Sequence, residues 1–248
     1  MSKANYKIKS NREIRSYAKE CLIGKMTLPV IISIFYVLSR NSFDSLAAIG
    51  LFGSSIFSLV FFCVMSLVLD TVIGIFDYGI THFYLSLITG RDISLYDIFK
   101  GYRTSTDRIM GFSFILALLR LLCLLPYYII SFIVNPDSML GLITCLVLSL
   151  LGALIYFLLS LILAPGYYIL CDIPDVSLPL VFVMSLSMMN GKRYFKLLLL
   201  KISYIPLLLL GYLSLGVGLL FVNPFMYAAE AFFYEDLCDE YESKSAVA

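Results

Sequence analysis

The sequence has no tryptophan, a single histidine and few charges: of its 248 residues, 14% are Asp, Glu, Lys or Arg. A soluble domain is nearer a quarter charged and about half apolar. This chain is 60% hydrophobic, so the excess must face something other than water. The lone His82 excludes the HExxH zinc helix and any other site that needs two imidazoles. No GxxxxGK[ST] segment is present to cradle a phosphate. The cysteines (Cys21, Cys63, Cys123, Cys145, Cys171, Cys238) contain no CxxC pair and lie mostly in apolar runs, where a thiol behaves as a small hydrophobe. Neither a disulfide framework, a metal nor a cofactor is expected. The formal charge is only +1, which gives no case for nucleic-acid binding.

Long apolar runs are what the chain does have. A bilayer core takes about 20 helical residues to cross. Apolar stretches at about 22–39, 57–89, 109–134, 139–171, 197–213 and 219–237 predict an all-α transmembrane bundle of about six spans within residues 25–237. A short external or partly inserted helix is expected ahead of the second. The first run follows a basic start as a signal peptide does. It is longer than an h-region and more spans follow, so it reads as a retained anchor. Asn135-Pro136-Asp137-Ser138 reads as a tight loop. The fourth run would be roughly 50 Å long if unbroken, and Ala164-Pro165-Gly166 is its expected kink. Leu215-Gly216-Val217-Gly218 predicts a reversal before the sixth. Acidic residues then lead into a tail, residues 238–248.

Residues 1–24 predict a basic amphipathic helix. Ser10-Asn11-Arg12-Glu13 fits a capping box. Ile14, Tyr17, Ala18, Cys21 and Leu22 form one apolar stripe, rimmed by Lys7, Lys9, Arg12, Arg15 and Lys19. Such a helix suits an anionic lipid surface, or the ends of its own spans. Basic residues also set orientation. Seven near the N-terminus, four in the second loop (Arg91, Lys100, Arg103, Arg108) and three in the fourth (Lys192, Arg193, Lys196) make fourteen, against Arg40 alone opposite. Both termini are therefore expected in the cytosol.

The two larger cytosolic connections, ITGRDISLYDIFKGYR and CDIPDVSLPLVFVMSLSMMNGKRYF, resemble each other. Each has a polar turn with Asp, then a short apolar-rich helix, then Gly and basic residues. Gly101 and Gly191 are the expected left-handed helix stops. A span, interfacial helix and span would then occur twice as a parallel repeat.

NREIRSYAKECL, LYDIFKGYR, SLSMMNGKRYFKL and NPFMYAAEAFFYEDL, in this order, resemble a family of bacterial membrane proteins known as domain of unknown function 975. The resemblance runs over nearly the whole chain and is most specific at the C-terminus. It implies a polytopic protein of the bacterial cell membrane and brings no activity, cofactor or catalytic residue. Tyr204-Ile205-Pro206 departs from the aromatic-rich segment expected there, which bears on whether the fifth span is straight.

Charge within the membrane costs about 2.5–3.5 kcal/mol per group on insertion scales. The candidates are Asp70, Asp77, His82, Arg120, Lys201 and Glu230. Lys201 is near a cytosolic end and can snorkel; Asp70 is placed near the outer interface. Asp77 is 12 residues from Thr89 and Arg120 is 11 from Ile109, so both should lie about 16–18 Å from the cytosolic interface. They are expected to pair, with His82 and Glu230 nearby. Gly111-Phe112-Ser113-Phe114 only weakly echoes an intramembrane serine protease, and Gly53-Ser54-Ser55 has no neighbouring base. The chain reads as a non-enzymatic scaffold or accessory subunit, partnered by anionic lipids at the cytosolic face and by another protein or a second copy. The alternative is a small transporter or channel-like protein with a polar site around Asp77, Arg120 and Glu230. Cysteines substituted at Ser2 and Ala248 should both resist an impermeant thiol reagent in intact cells; external labelling of either end would overturn the six-span topology.

Overall fold

The computed structural model describes residues 9–48, 56–103, 106–134, 138–214 and 216–245. Lys3, Lys7, Gly53-Ser54-Ser55, Asn135-Pro136-Asp137 and Leu215 lie outside the described residues, as does most of the segment expected to hold the short helix before the second span. Among the described residues every regular element is helical.

Helix α1, Asn11–Leu22, begins with the expected capping box. The Glu13 backbone N–H donates to Ser10 Oγ at 3.3 Å and the Ser10 N–H donates to Glu13 Oε2 at 2.5 Å. Its stripe of Ile14, Ala18 and Leu22 is buried, packed on the final helix of the chain and, to a lesser extent, on two others. The apolar face is thus taken up by the protein itself, while Arg12, Arg15 and Lys19 remain exposed. The chain then bends by 104° into α2, Thr27–Ala48.

Helix α3, Ile56–Ile88, is the packing axis. It ends in a Schellman motif: the Gly90 N–H donates to Leu87 O, the Arg91 N–H donates to Ser86 O at 2.9 Å, and Gly90 takes φ +70°. A 3₁₀ helix, Leu95–Tyr102, then climbs back along α3. A Cβ on Gly79 would overlap the Ile98 carbonyl. Gly101 lacks the left-handed stop conformation expected of it, because its role is close packing against Ile75. Gly191 takes a positive φ, +54°, but its ψ of −113° is not that of a left-handed stop, and it caps the start of the following helix, Lys192–Ile202.

Helix α4 covers Thr106–Ile133. Helices α5, Met139–Leu163, and α6, Pro165–Asp172, form one long segment broken at Ala164, since Pro165 has no N–H to continue the ladder. A short α7, Leu178–Met188, precedes α8, Lys192–Ile202, and α9, Ile205–Leu213. The α8–α9 break falls just before Pro206, and the two together make one apolar segment, Lys192–Leu213. The long, short, long order occurs twice, although one connector is 3₁₀ and the other an α-helix. Helix α10, Leu219–Ser245, continues as helix through the acidic segment.

Among the described residues, four segments are long and apolar enough to cross a membrane: α3, α4, α5 with α6, and α8 with α9. The bent α1–α2 pair is a fifth if counted as one span. The described residues are therefore all-helical, with helices long and apolar enough for a multi-pass membrane protein. The remaining candidate of the six, α10, is diluted by Glu230, Glu235 and Asp236. Gly79→Ala should cost about 1–3 kcal/mol, because a backbone carbonyl cannot rotate away as a side chain could. A melting temperature in detergent equal to that of the wild type would contradict this packing.

Candidate functional site

The expected pairing of Asp77 with Arg120 does not form. Arg120 Nη1 donates to Asp70 Oδ1 at 2.7 Å, and Arg40 Nη2 lies 3.7 Å from the same oxygen. Helix register explains the difference. A Cβ on Gly74 would collide with Ser113 Oγ, so Gly74 and Ser113 are level. Arg120 is seven residues beyond Ser113 and Asp70 is four beyond Gly74 on the same side, while Asp77 is three the other way. Counting depth from the helix ends assumed that α3 and α4 leave the interface at one level. The 3₁₀ helix, by climbing α3, starts α4 deeper. Asp77 instead lies near Tyr36.

The other members of the expected cluster are also dispersed. The Lys100 ammonium donates to His82 Nε2 at 2.7 Å, which leaves the ring proton on Nδ1, 3.9 Å from Asp97 Oδ1. His82 therefore binds the 3₁₀ helix to α3. Glu230 pairs with Lys201 at 2.9 Å. Ser113 Oγ donates to the Ile109 carbonyl at 2.7 Å and shares a 3.0 Å hydrogen bond with Tyr167. Among the described residues no group of three or more His, Cys, Asp or Glu could hold a metal.

The densest polar constellation lies where α1, α8 and α10 meet, at what can be called the basic end. The buried Asp236 carboxylate accepts the Lys196 ammonium at 3.0 Å and the Lys9 backbone N–H at 3.1 and 3.3 Å. One turn on, Glu240 takes a two-point contact from Arg193, Nε and Nη2 each at 2.9 Å. A further Arg193 nitrogen donates to the Met188 carbonyl at the end of α7, at 3.2 Å. Asn11 Nδ2 donates to the Lys196 carbonyl at 3.1 Å, and the Tyr234 hydroxyl donates to Asp172 Oδ2 at 2.8 Å. Helix α10 thereby holds α1, α6, α7 and α8 together. Sequence reasoning missed this clamp by reading the acidic stretch for its charge alone. The available signal was spacing: Ala229, Phe233, Asp236 and Glu240 follow a helical period, so the two carboxylates share the buried face.

Residues 1–240 match the family described as protein of unknown function, DUF975. The chain belongs to that family. No curated protein and no solved structure matches it. The DUF975 match extends to Glu240, so every partner in the clamp falls within it. Removing one member of a buried ion pair typically costs about 3–5 kcal/mol, whereas removing both can be nearly neutral. Lys196→Met should accordingly lower the melting temperature sharply, and adding Asp236→Leu should recover most of the loss. If the two losses simply add, the clamp does not couple α8 to α10.

Proposed function

We propose that this DUF975 protein is a non-enzymatic scaffold or accessory subunit of the bacterial cytoplasmic membrane. In this reading α2 and α10 complete six spans, both termini are cytosolic, and the basic end faces the cytosol, following the distribution of Lys and Arg. The observation that carries the proposal is local charge compensation. Asp70 is met by Arg40 and Arg120, and Glu230 by Lys201. These charges tie helices to one another, and the clamp mounts α1 rigidly with Arg12, Arg15 and Lys19 outward. That face suits anionic lipid headgroups, and a protein partner or second copy bound beside them.

Reconstitution separates this role from transport. Liposomes holding the purified chain should pass no more protons or small ions than empty ones. A photoreactive residue in place of Arg15 should crosslink one recurring protein partner in native membranes. Flux that Asp77→Asn abolishes would replace the scaffold with a transporter.

A further inference from the structure

A second feature of the basic end is a cleft of about 480 Å³ between the α1–α2 elbow and the end of α3. Its walls are Gly24, Lys25, Thr27 and Leu28 on one side and Gly90, Arg91, Asp92 and Ile93 on the other. The volume is within the range of ligand sites. Both glycines have positive φ, +81° and +70°, and a Cβ on either would meet open space. The two turns thus leave the cleft unfilled. Lys25 and Arg91 are exposed, and neither side chain makes an ion pair or hydrogen bond among the described residues. Two cations without an ion pair or hydrogen bond among the described residues thus line one cavity, beside the half-buried Leu28 and Ile93.

We infer that this cleft seats the headgroup of an anionic phospholipid, its phosphodiester between Lys25 and Arg91. Place and chemistry agree. The 104° bend is where a helix suited to lie along the surface turns into one directed across the bundle, so the cleft sits at headgroup level. The cations match a phosphate, Leu28 and Ile93 match the start of the acyl chains, and Asp92 accepts hydrogen bonds from headgroup hydroxyls. With two cations and one carboxylate, the lining carries a net +1. That favours a headgroup of charge −1 bearing hydroxyls, such as phosphatidylglycerol, over phosphatidylcholine, which has no donor for Asp92. The site requires the membrane setting and is independent of the scaffold reading, which concerns the face of α1.

Native mass spectrometry of the full chain in detergent, titrated with phosphatidylglycerol, phosphatidylcholine or inorganic phosphate, tests the site. Phosphatidylglycerol should bind at least tenfold tighter than either of the others. The Lys25→Gln/Arg91→Gln variant should lose that tenfold preference. A photoactivatable phosphatidylglycerol on the unmodified chain should label residues 24–28 and 90–93. Equal binding of the two lipids, phosphate binding as tight as the lipid's, undiminished preference in the variant, or labelling confined to other segments would each overturn the inference.

Discussion

The burial of the Asp236 carboxylate constrains the whole basic end. An ionised carboxylate removed from water is costly unless charge and hydrogen bonds replace its hydration. The Lys196 ammonium and the Lys9 backbone N–H supply both, and they can do so only with α8 and the start of α1 in place. Holding Lys9 there lays the capped α1 across α10, so that Ile14, Ala18 and Leu22 find a dry partner. Arg193, drawn to Glu240, then closes off the carbonyl at the end of α7. One buried charge thus coordinates elements far apart in the chain.

Close packing along α3 plays the corresponding part deeper in the bundle. Without side chains, Gly74 leaves room for Ser113 of α4, and Gly79 lets the 3₁₀ helix approach to backbone distance. That approach sets the α3–α4 register, which in turn brings Arg120 to Asp70 rather than to Asp77. Small residues on one helix therefore decide which charges meet on another.

Features governed by local chemistry could be read from the residues: the Ser10–Glu13 box, the break at Pro165 and the interruption before Pro206. Those depending on how far one segment slides along another could not. Nothing local to LYDIFKGYR shows that it climbs α3, so depth counted from helix ends misplaced Arg120. His82 was assigned to an intramembrane cluster for the same reason, yet it meets Lys100 on that climbing segment. Asp236 was overlooked for a different reason: only its helical phase with Ala229 and Phe233 shows that it faces inward.

The central claim is that a buried carboxylate on α10 fixes α1 as an integral part of the bundle. Hydrogen exchange on the intact chain in lipid nanodiscs tests it most directly. The Ile14–Leu22 amides should be protected comparably to those of Ala228–Leu237, and Asp236→Asn should release protection in α1 while leaving α3 unchanged. Fast exchange across α1 in the unmodified protein, or protection in α1 that ignores the loss of the Asp236 charge, would contradict it.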